Sequence, residues 1–440
     1  MTALLAASSA GPAPAQPGAP QAEEPAPQPA PQATGQIDLE QAIALALARS
    51  ERARIAEQRT QTAEARVARA RAFFFPDVSL SGSYARQGGE IDVRQSRGSL
   101  QATLSLGVTI FDARSIPLYR QARLDSEAAR FEELDDKRLI AFDAAAAYVA
   151  TLGLEQVVAA AQRRVELAGQ NAADARGRVE AQLTSSNDLT RAELELAAAE
   201  RELTRARAEL DTGYLQLGYL LDAETIAGPL VPPEALLAEA AAPPAGAETL
   251  VAAARTRRLD IAASFKRTEA LQAFAREPDA RFLPSLGLAG QVYAGNDTGF
   301  SGRDAGWLVS VSLSWVLWDG GVRVAERRER RATATGAELG ARAAVRRVAR
   351  DVGIALVSLR RSQATVQQSE TVVAAARRNA DESAILYREG LARAIEVADA
   401  GARLFDAEVA LARERYGLAL ALLDLRAVLG LDPLGKEMTR

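Results

Sequence analysis

The sequence predicts a mostly α-helical protein with a small antiparallel β part, written as two copies of a helix–hairpin–helix unit. Three observations predict it. Alanine, leucine, arginine and glutamate dominate and aromatic residues are only 5% of the 440 positions, a long-helix composition. Short motifs recur at one constant offset, the signature of an internal duplication. In each copy a pair of strand-like segments interrupts the helical pattern, and the second of each pair alternates strictly with period two.

The repeat is explicit in the residues. Phe74-Phe75-Pro76-Asp77-Val78-Ser79-Leu80 matches Phe282-Leu283-Pro284-Ser285-Leu286-Gly287-Leu288 at an offset of 208. Asn171-Ala172 and Asn379-Ala380 share that offset, as do Leu221 and Leu429. Phe111-Asp112 and Trp318-Asp319 stand 207 apart, which implies one small indel. The organisation that follows is a first repeat over 37–222, a Pro-rich inter-repeat segment over 223–246, a second repeat over 247–430 and a tail over 431–440. Residues 1–36 form a Pro/Ala/Gln-rich stretch, expected to be a disordered linker. Its first ten residues, with Ala13-Pro14-Ala15 as a small-residue cleavage site, read either as a signal-peptide remnant without its positive start or as a plain Ala/Pro-rich beginning.

Taken in order, the first copy predicts a helix over 39–72, ended before Pro76, and a strand over 77–84. A polar loop with Gly88-Gly89 leads to a second strand over 99–110. There Leu100, Ala102, Leu104, Leu106, Val108 and Ile110 point one way and Gln101, Thr103, Ser105, Gly107 and Thr109 the other. The second copy predicts strands over 284–293 and 307–317, with Trp307, Val309, Val311, Leu313, Trp315 and Leu317 against Ser310, Ser312 and Ser314. Apolar on one face and small-polar on the other, over about ten residues, fits a transmembrane barrel strand; a half-buried soluble sheet has the same period. Four strands cannot close a barrel, and an open edge is not tolerated in lipid. Spanning strands would therefore have to be shared among protomers, and three copies would supply twelve.

Long helices follow each hairpin, over 115–179 and 322–387, each about 100 Å at 1.5 Å per residue. The last helix of each copy is a heptad. Leu189, Leu196, Leu203, Leu210 and Leu217 alternate with Ala192, Ala199, Ala206, Gly213 and Leu220; Val397, Leu404, Leu411, Leu418 and Leu425 repeat the seam. A 3.5-residue period means left-handed supercoiling, and the small seam residues suit a wall of closely packed helices.

Composition excludes several functions. Histidine and cysteine are both absent, which removes His bases, Cys nucleophiles, disulfides and Cys/His metal sites. No cofactor or metal is called for, no nucleotide-binding loop is present, and an enzyme is not expected. Without cysteine the chain is expected not to be lipidated. A net charge of −4 with interleaved signs argues against nucleic acid. No run of about 18 apolar residues stands out, so no transmembrane helix is expected.

The doubled order of these elements, Trp315-Val316-Leu317-Trp318-Asp319-Gly320-Gly321 before the long helix, and Tyr387-Arg388-Glu389-Gly390 followed by Ile395-Glu396-Val397-Ala398-Asp399-Ala400, resemble the TolC-like outer membrane factor family over about 39–430. The resemblance implies a homotrimer with a twelve-stranded β-barrel in the outer-membrane lipid. A trimeric α-barrel tunnel would continue from it into the periplasm and meet a periplasmic adaptor (membrane fusion) protein and an inner-membrane RND or ABC transporter. It implies a passive exit duct for efflux or type I secretion; a soluble periplasmic scaffold or adaptor is the competing expectation. It places an acidic selectivity ring on Glu396 and Asp399, for which a solvated helix face is the plain alternative. It places a periplasmic gate on Asp188 and Tyr387, with Arg393 standing one place beyond the position of the family's gate arginine, which is Ala392 here. Asn187-Asp188 also suits a helix N-cap. Phe111, Trp307, Trp315 and Trp318 suit an interfacial aromatic girdle, with core packing the alternative for Trp318. Asp112, Asp319, Gly320 and Gly321 fit strand-to-helix corners.

Overall fold

The computed structural model describes residues 37–86, 98–224, 226, 228–296 and 304–437. The expectations for residues 1–36, for the Gly88-Gly89 loop and for the last three residues of the tail lie outside them. The described residues are 72% helical, with one small antiparallel sheet among them. In order come α1 (Leu39–Arg49), α2 (Glu51–Ala72), β1 (Asp77–Arg86), β2 (Gly98–Phe111), α3 (Ser115–Glu180), α4 (Ser186–Leu221), α5 (Glu234–Ala241), α6 (Ala247–Arg257), α7 (Leu259–Phe274), α8 (Glu277–Ala280), β3 (Ser285–Gly295), β4 (Ala305–Ser314), α9 (Val322–Arg388) and α10 (Ala394–Val428).

The single helix expected over 39–72 is two. Asp38 starts α1 with a capping box, accepting from the Gln41 backbone N–H at 2.7 Å. At Ser50 the backbone turns to φ −58°, ψ 124°. Arg258, 208 positions later, has φ −62°, ψ 118° and separates α6 from α7. Neither break contains Gly or Pro. Both helices pack on α3: α1 buries Leu39, Ala42, Ile43 and Ala46 in the central core, where α4 also meets it, and α2 leaves that core after Ala53 and runs along α3 with Ala56, Thr60 and Ala63 buried.

The sheet order is β1-β2-β3-β4, every pair antiparallel. Its register sorts the two faces. Val78, Leu80 and Tyr84 pair with Leu106, Leu104 and Leu100; Leu104 pairs with Val292; Val292, Leu288 and Leu286 pair with Trp307, Val311 and Leu313. On the other face Ser79, Ser81 and Ser83 meet Ser105, Thr103 and Gln101, and Ala289 and Gly287 meet Ser310 and Ser312. The apolar face is bare in the protomer, with Leu80 and Trp307 each 76% exposed. Two details differ from expectation. A bulge between Thr109 and Phe111 puts Phe111, not Ile110, opposite Leu286. β4 ends at Ser314 instead of 317, because its partner β3 begins at Ser285, just after Pro284, and proline has no N–H to extend the ladder.

The main core sits halfway along the long helices. Tyr148, Val149 and Leu152 of α3 pack with Leu217 and Leu221 of α4, Val348, Val352 and Leu359 of α9, and Leu418, Leu422 and Leu425 of α10. Tyr148 Oη lies 2.7 Å from the carbonyl oxygens of both Ile37 and Val231, tying the start of the first repeat and the inter-repeat segment to α3. Burial pushes this phenol up to about 12. Contrary to the sequence expectation, α3 contains an 18-residue window apolar enough to cross a membrane, with mean hydropathy 1.4. Because 61% of that window is buried inside the protomer, its apolarity belongs to this core.

Below the core, contacts run in the row α4–α3–α10–α9; above it they run α2–α3–α7–α9. The small seam residues let the rows close up: Ala192, Ala199, Ala206 and Gly213 are buried, and a Cβ on Gly213 would stand 2.8 Å from Leu154. Glu408 of α10 bridges Arg163 of α3 (2.9 Å) and Arg377 of α9 (2.8 Å). Burial alone would raise its carboxyl; the two guanidiniums outweigh that and hold it below the ordinary value. A depressed carboxylate contributes stability that is fully present above its unfolded pKa and is lost as pH falls through the folded one. Glu408→Gln is therefore expected to lower thermal stability at pH 7, and the gap to wild type should close on acidification below about pH 4. A gap that persists there would remove the charge bridge as its cause.

Candidate functional site

Both helical hairpins turn in the same way at the end far from the sheet. Gln182 (φ 58°) and Gly390 (φ 76°) occupy the left-handed region 208 positions apart. Leu183 N–H donates to Arg178 O at 2.9 Å, and Leu391 N–H to Leu386 O at 2.8 Å, closing α3 and α9 with the same motif. The other ends of the hairpins repeat it. Asp222 (φ 49°) and Gly430 (φ 74°), again 208 apart, follow α4 and α10, with Ala223 N–H bonded to Gly218 O and Leu431 N–H to Arg426 O, each at 3.0 Å. In the first copy side chains carry the strain that glycine avoids in the second.

The expected gate residues are placed as follows. Tyr387 is buried at the end of α9, and burial raises its phenol. Its Oη has no hydrogen-bond partner among the described residues. Asp188 is not an N-cap: Ser185 caps α4 and Asp188 is its third helical residue, where a carboxylate suits the helix dipole. It accepts a hydrogen bond from the Thr184 hydroxyl, and no Tyr387–Asp188 bond is made. Arg178, unflagged by the sequence, reaches across from α3: Nη1 donates to Tyr387 O at 2.8 Å and Nη2 to Arg388 O at 2.7 Å. Its Cζ sits 4.6 Å from the Tyr387 ring centroid. Arg393 caps α10 through its backbone, Glu396 N–H donating to its carbonyl at 2.9 Å, while its side chain stays exposed. Glu396 and Asp399 lie one turn apart and exposed, beside buried Val397 and Ala400. Asp399 pairs with Arg403 at 2.9 Å.

At the opposite end the chain passes from strand to long helix through two acidic corners. Asp112 accepts from the Arg114 backbone N–H at 3.0 Å and pairs with its guanidinium. Asp319 accepts from Gly321 N–H at 3.1 Å and from Arg323 N–H at 3.0 Å. Gly320 (φ 69°) and Gly321 (φ 91°) make the turn. Phe111, Trp307, Trp315 and Trp318 are all exposed; Trp318 is not in the core, and Trp315 Nε1 donates to Phe282 O at 3.0 Å. Phe73, Phe74, Phe75 and Phe282 join the aromatic level of Phe111, Trp315 and Trp318, with Phe74 edge-on to Tyr119; Trp307, opposite Val292, stands towards the other end of β4.

The protomer is open at both flanks. Among the described residues β1 and β4 have no outer partner. Tyr219, 86% exposed, stands with exposed Leu194 and Leu215 on α4, and exposed Ile354, Val357 and Val372 run along α9; α4 and α9 end the lower row.

Against known proteins, the outer membrane efflux protein family matches residues 42–221 and 250–431. The chain belongs to the outer membrane efflux protein family. No curated protein matches it. Solved structures share the fold of this outer membrane efflux protein. The channel-forming CusC superposes with TM-score 0.78 at 17% identity, over 90% of this chain and 93% of that one. The outer membrane protein VceC of Vibrio cholerae gives 0.72 at 18%, over 90% and 96%. The MtrE outer membrane channel of Neisseria gonorrhoeae, in its open state, gives 0.75 at 19%, over 91% of each.

Two features of this efflux-family protein escaped the sequence. The extra phenylalanines were legible in Phe73-Phe74-Phe75 before Pro76, a run of aromatics at a helix end. Arg178 had no local signal, since its acceptors lie 209 and 210 residues away.

Proposed function

We propose that this protein is a passive exit duct of the outer membrane and not an enzyme: three copies share one twelve-stranded barrel, and their helices form a tunnel into the periplasm. The observation that carries the reading is the four-stranded sheet, bare and apolar on one face, with both edges unpaired. An unclosed edge cannot face lipid, so the sheet must be completed by other copies. The flanks of α4 and α9 both carry exposed apolar side chains, which supports their meeting head to tail between copies, the arrangement a closed ring uses. Energy then comes from an inner-membrane RND or ABC transporter engaged through a periplasmic adaptor, in a tripartite efflux or type I secretion system. The repeats at 37–222 and 247–430 act as the two hairpin units of each protomer, joined by 223–246.

The mass of the complex extracted by detergent from outer membranes tests this. Three chains are expected; a soluble monomer or dimer would overturn the duct and leave a scaffold. At the tip, Glu396 and Asp399 from three copies would place six carboxylates around the axis, a ring that favours cations. Combined Glu396→Gln and Asp399→Asn is expected to lower the cation preference measured by reversal potential in planar bilayers. Unchanged selectivity would return the pair to a solvated helix face.

A further inference from the structure

We propose that Arg178 is the clasp that holds the two hairpins together at the tunnel tip and so sets the threshold for opening; this rests on the duct reading above. The two carbonyls it engages, of Tyr387 and Arg388, end the 67-residue helix α9. They carry the negative end of the helix dipole. A planar guanidinium presents two N–H groups in a fixed fork to such successive acceptors and can stack on a ring at the same time. All three contacts are made, at 2.8, 2.7 and 4.6 Å.

The alternative lock is absent from the protomer. Tyr387 Oη is buried and unpartnered among the described residues, and the Asp188 carboxylate bonds Thr184 of its own hairpin instead of reaching Tyr387. The next polar link between the α3–α4 and α9–α10 hairpins, Arg163 to Glu408, lies some fifteen residues further from the tip. Among the described residues, no other side-chain hydrogen bond or ion pair joins the hairpins beyond that point. Any movement that swings α9 away from α3 at the tip must therefore break both Arg178 hydrogen bonds and unstack the ring. Closure of each protomer's own tip then runs from a side chain of the first repeat to the backbone of the second. It depends on neither Asp188 nor the arginine that Ala392 replaces.

The test is single-channel conductance of the purified complex in planar bilayers. Arg178→Gln is expected to raise open probability at least about tenfold, the shift that loss of a single charge-assisted hydrogen bond gives, with more expected where the losses in the three copies add. Arg178→Lys keeps the charge but not the fork and should fall between. Arg176→Gln serves as control: Arg176 pairs with Glu193 inside its own hairpin at 2.9 Å, so its loss should leave opening unchanged. Because the chain has no cysteine, spin labels on Leu183→Cys and Leu391→Cys give a second readout, and Arg178→Gln should lengthen their separation. Wild-type pores with an unaltered Arg178→Gln variant, or equal opening by Arg176→Gln, overturns the clasp alone. No pores from the wild-type chain overturns the clasp and the duct together.

Discussion

Replacing Val311 by arginine is expected to abolish the stable membrane complex, while the same change at its neighbour Ser310 should leave the complex intact. Val311 pairs with Leu288 on the bare apolar face; Ser310 pairs with Ala289 on the small-polar face. In a shared barrel the first faces lipid and the second faces water. An arginine on the lipid face near mid-strand costs about 2–4 kcal/mol. With three copies in one barrel the penalty is roughly tripled, comparable to the whole stability of a typical domain. Yield and heat resistance of the detergent-extracted complex would be compared for the two variants. Equal loss, or equal tolerance, would mean that the two faces do not differ in what they meet.

The second large effect is expected at Gly430, where alanine should destabilise the fold by on the order of 3 kcal/mol, from left-handed strain plus overpacking. The residue has φ 74°, and a Cβ there would stand 3.0 Å from Arg258 N and 3.1 Å from Arg257 C. Those neighbours are backbone atoms of the break between α6 and α7, so they cannot rotate away. In the first copy a side chain makes the link at the corresponding place, the Arg49 guanidinium donating to the Asp222 carbonyl at 3.3 Å. At the tip the sign reverses: Gln182→Gly removes left-handed strain and should stabilise by about 1 kcal/mol. Thermal unfolding followed by helical circular dichroism would read both. A tolerated Gly430→Ala would show that α10 and the break can separate without loss.

Much of this arrangement is visible in the residues before any coordinates. Alternation fixes which side of β2 and β4 is apolar because successive side chains in a regular strand point to opposite faces, and the 208-residue offset aligns the two copies on either side of one small indel. The heptads locate the buried seam of α4 and α10 because small residues at period 3.5 have one economical packing. Where a feature depends on distant partners, local sequence is silent. Ser50 and Arg258 carry no breaker; α1 packs on α3 and α4 where α2 follows α3, and α6 packs on α9 where α7 adds α3. The alternation of Trp315 and Leu317 continues past Ser314, but a strand needs a neighbour, and Pro284 withholds it. At the tip the motif residues Asp188 and Tyr387 stand near one another without bonding, and the contact between hairpins comes from Arg178.

The bare edges of the four-stranded sheet have a genetic consequence. In the proposed threefold assembly no chain owns a complete barrel, so one defective copy spoils two sound ones. If a cell makes normal and edge-damaged chains in equal amounts and they mix freely, only about one ring in eight is wholly normal. A damaged β1 or β4 edge should therefore behave as a dominant allele, whereas a chain truncated before it can fold should be recessive, because it never enters a ring.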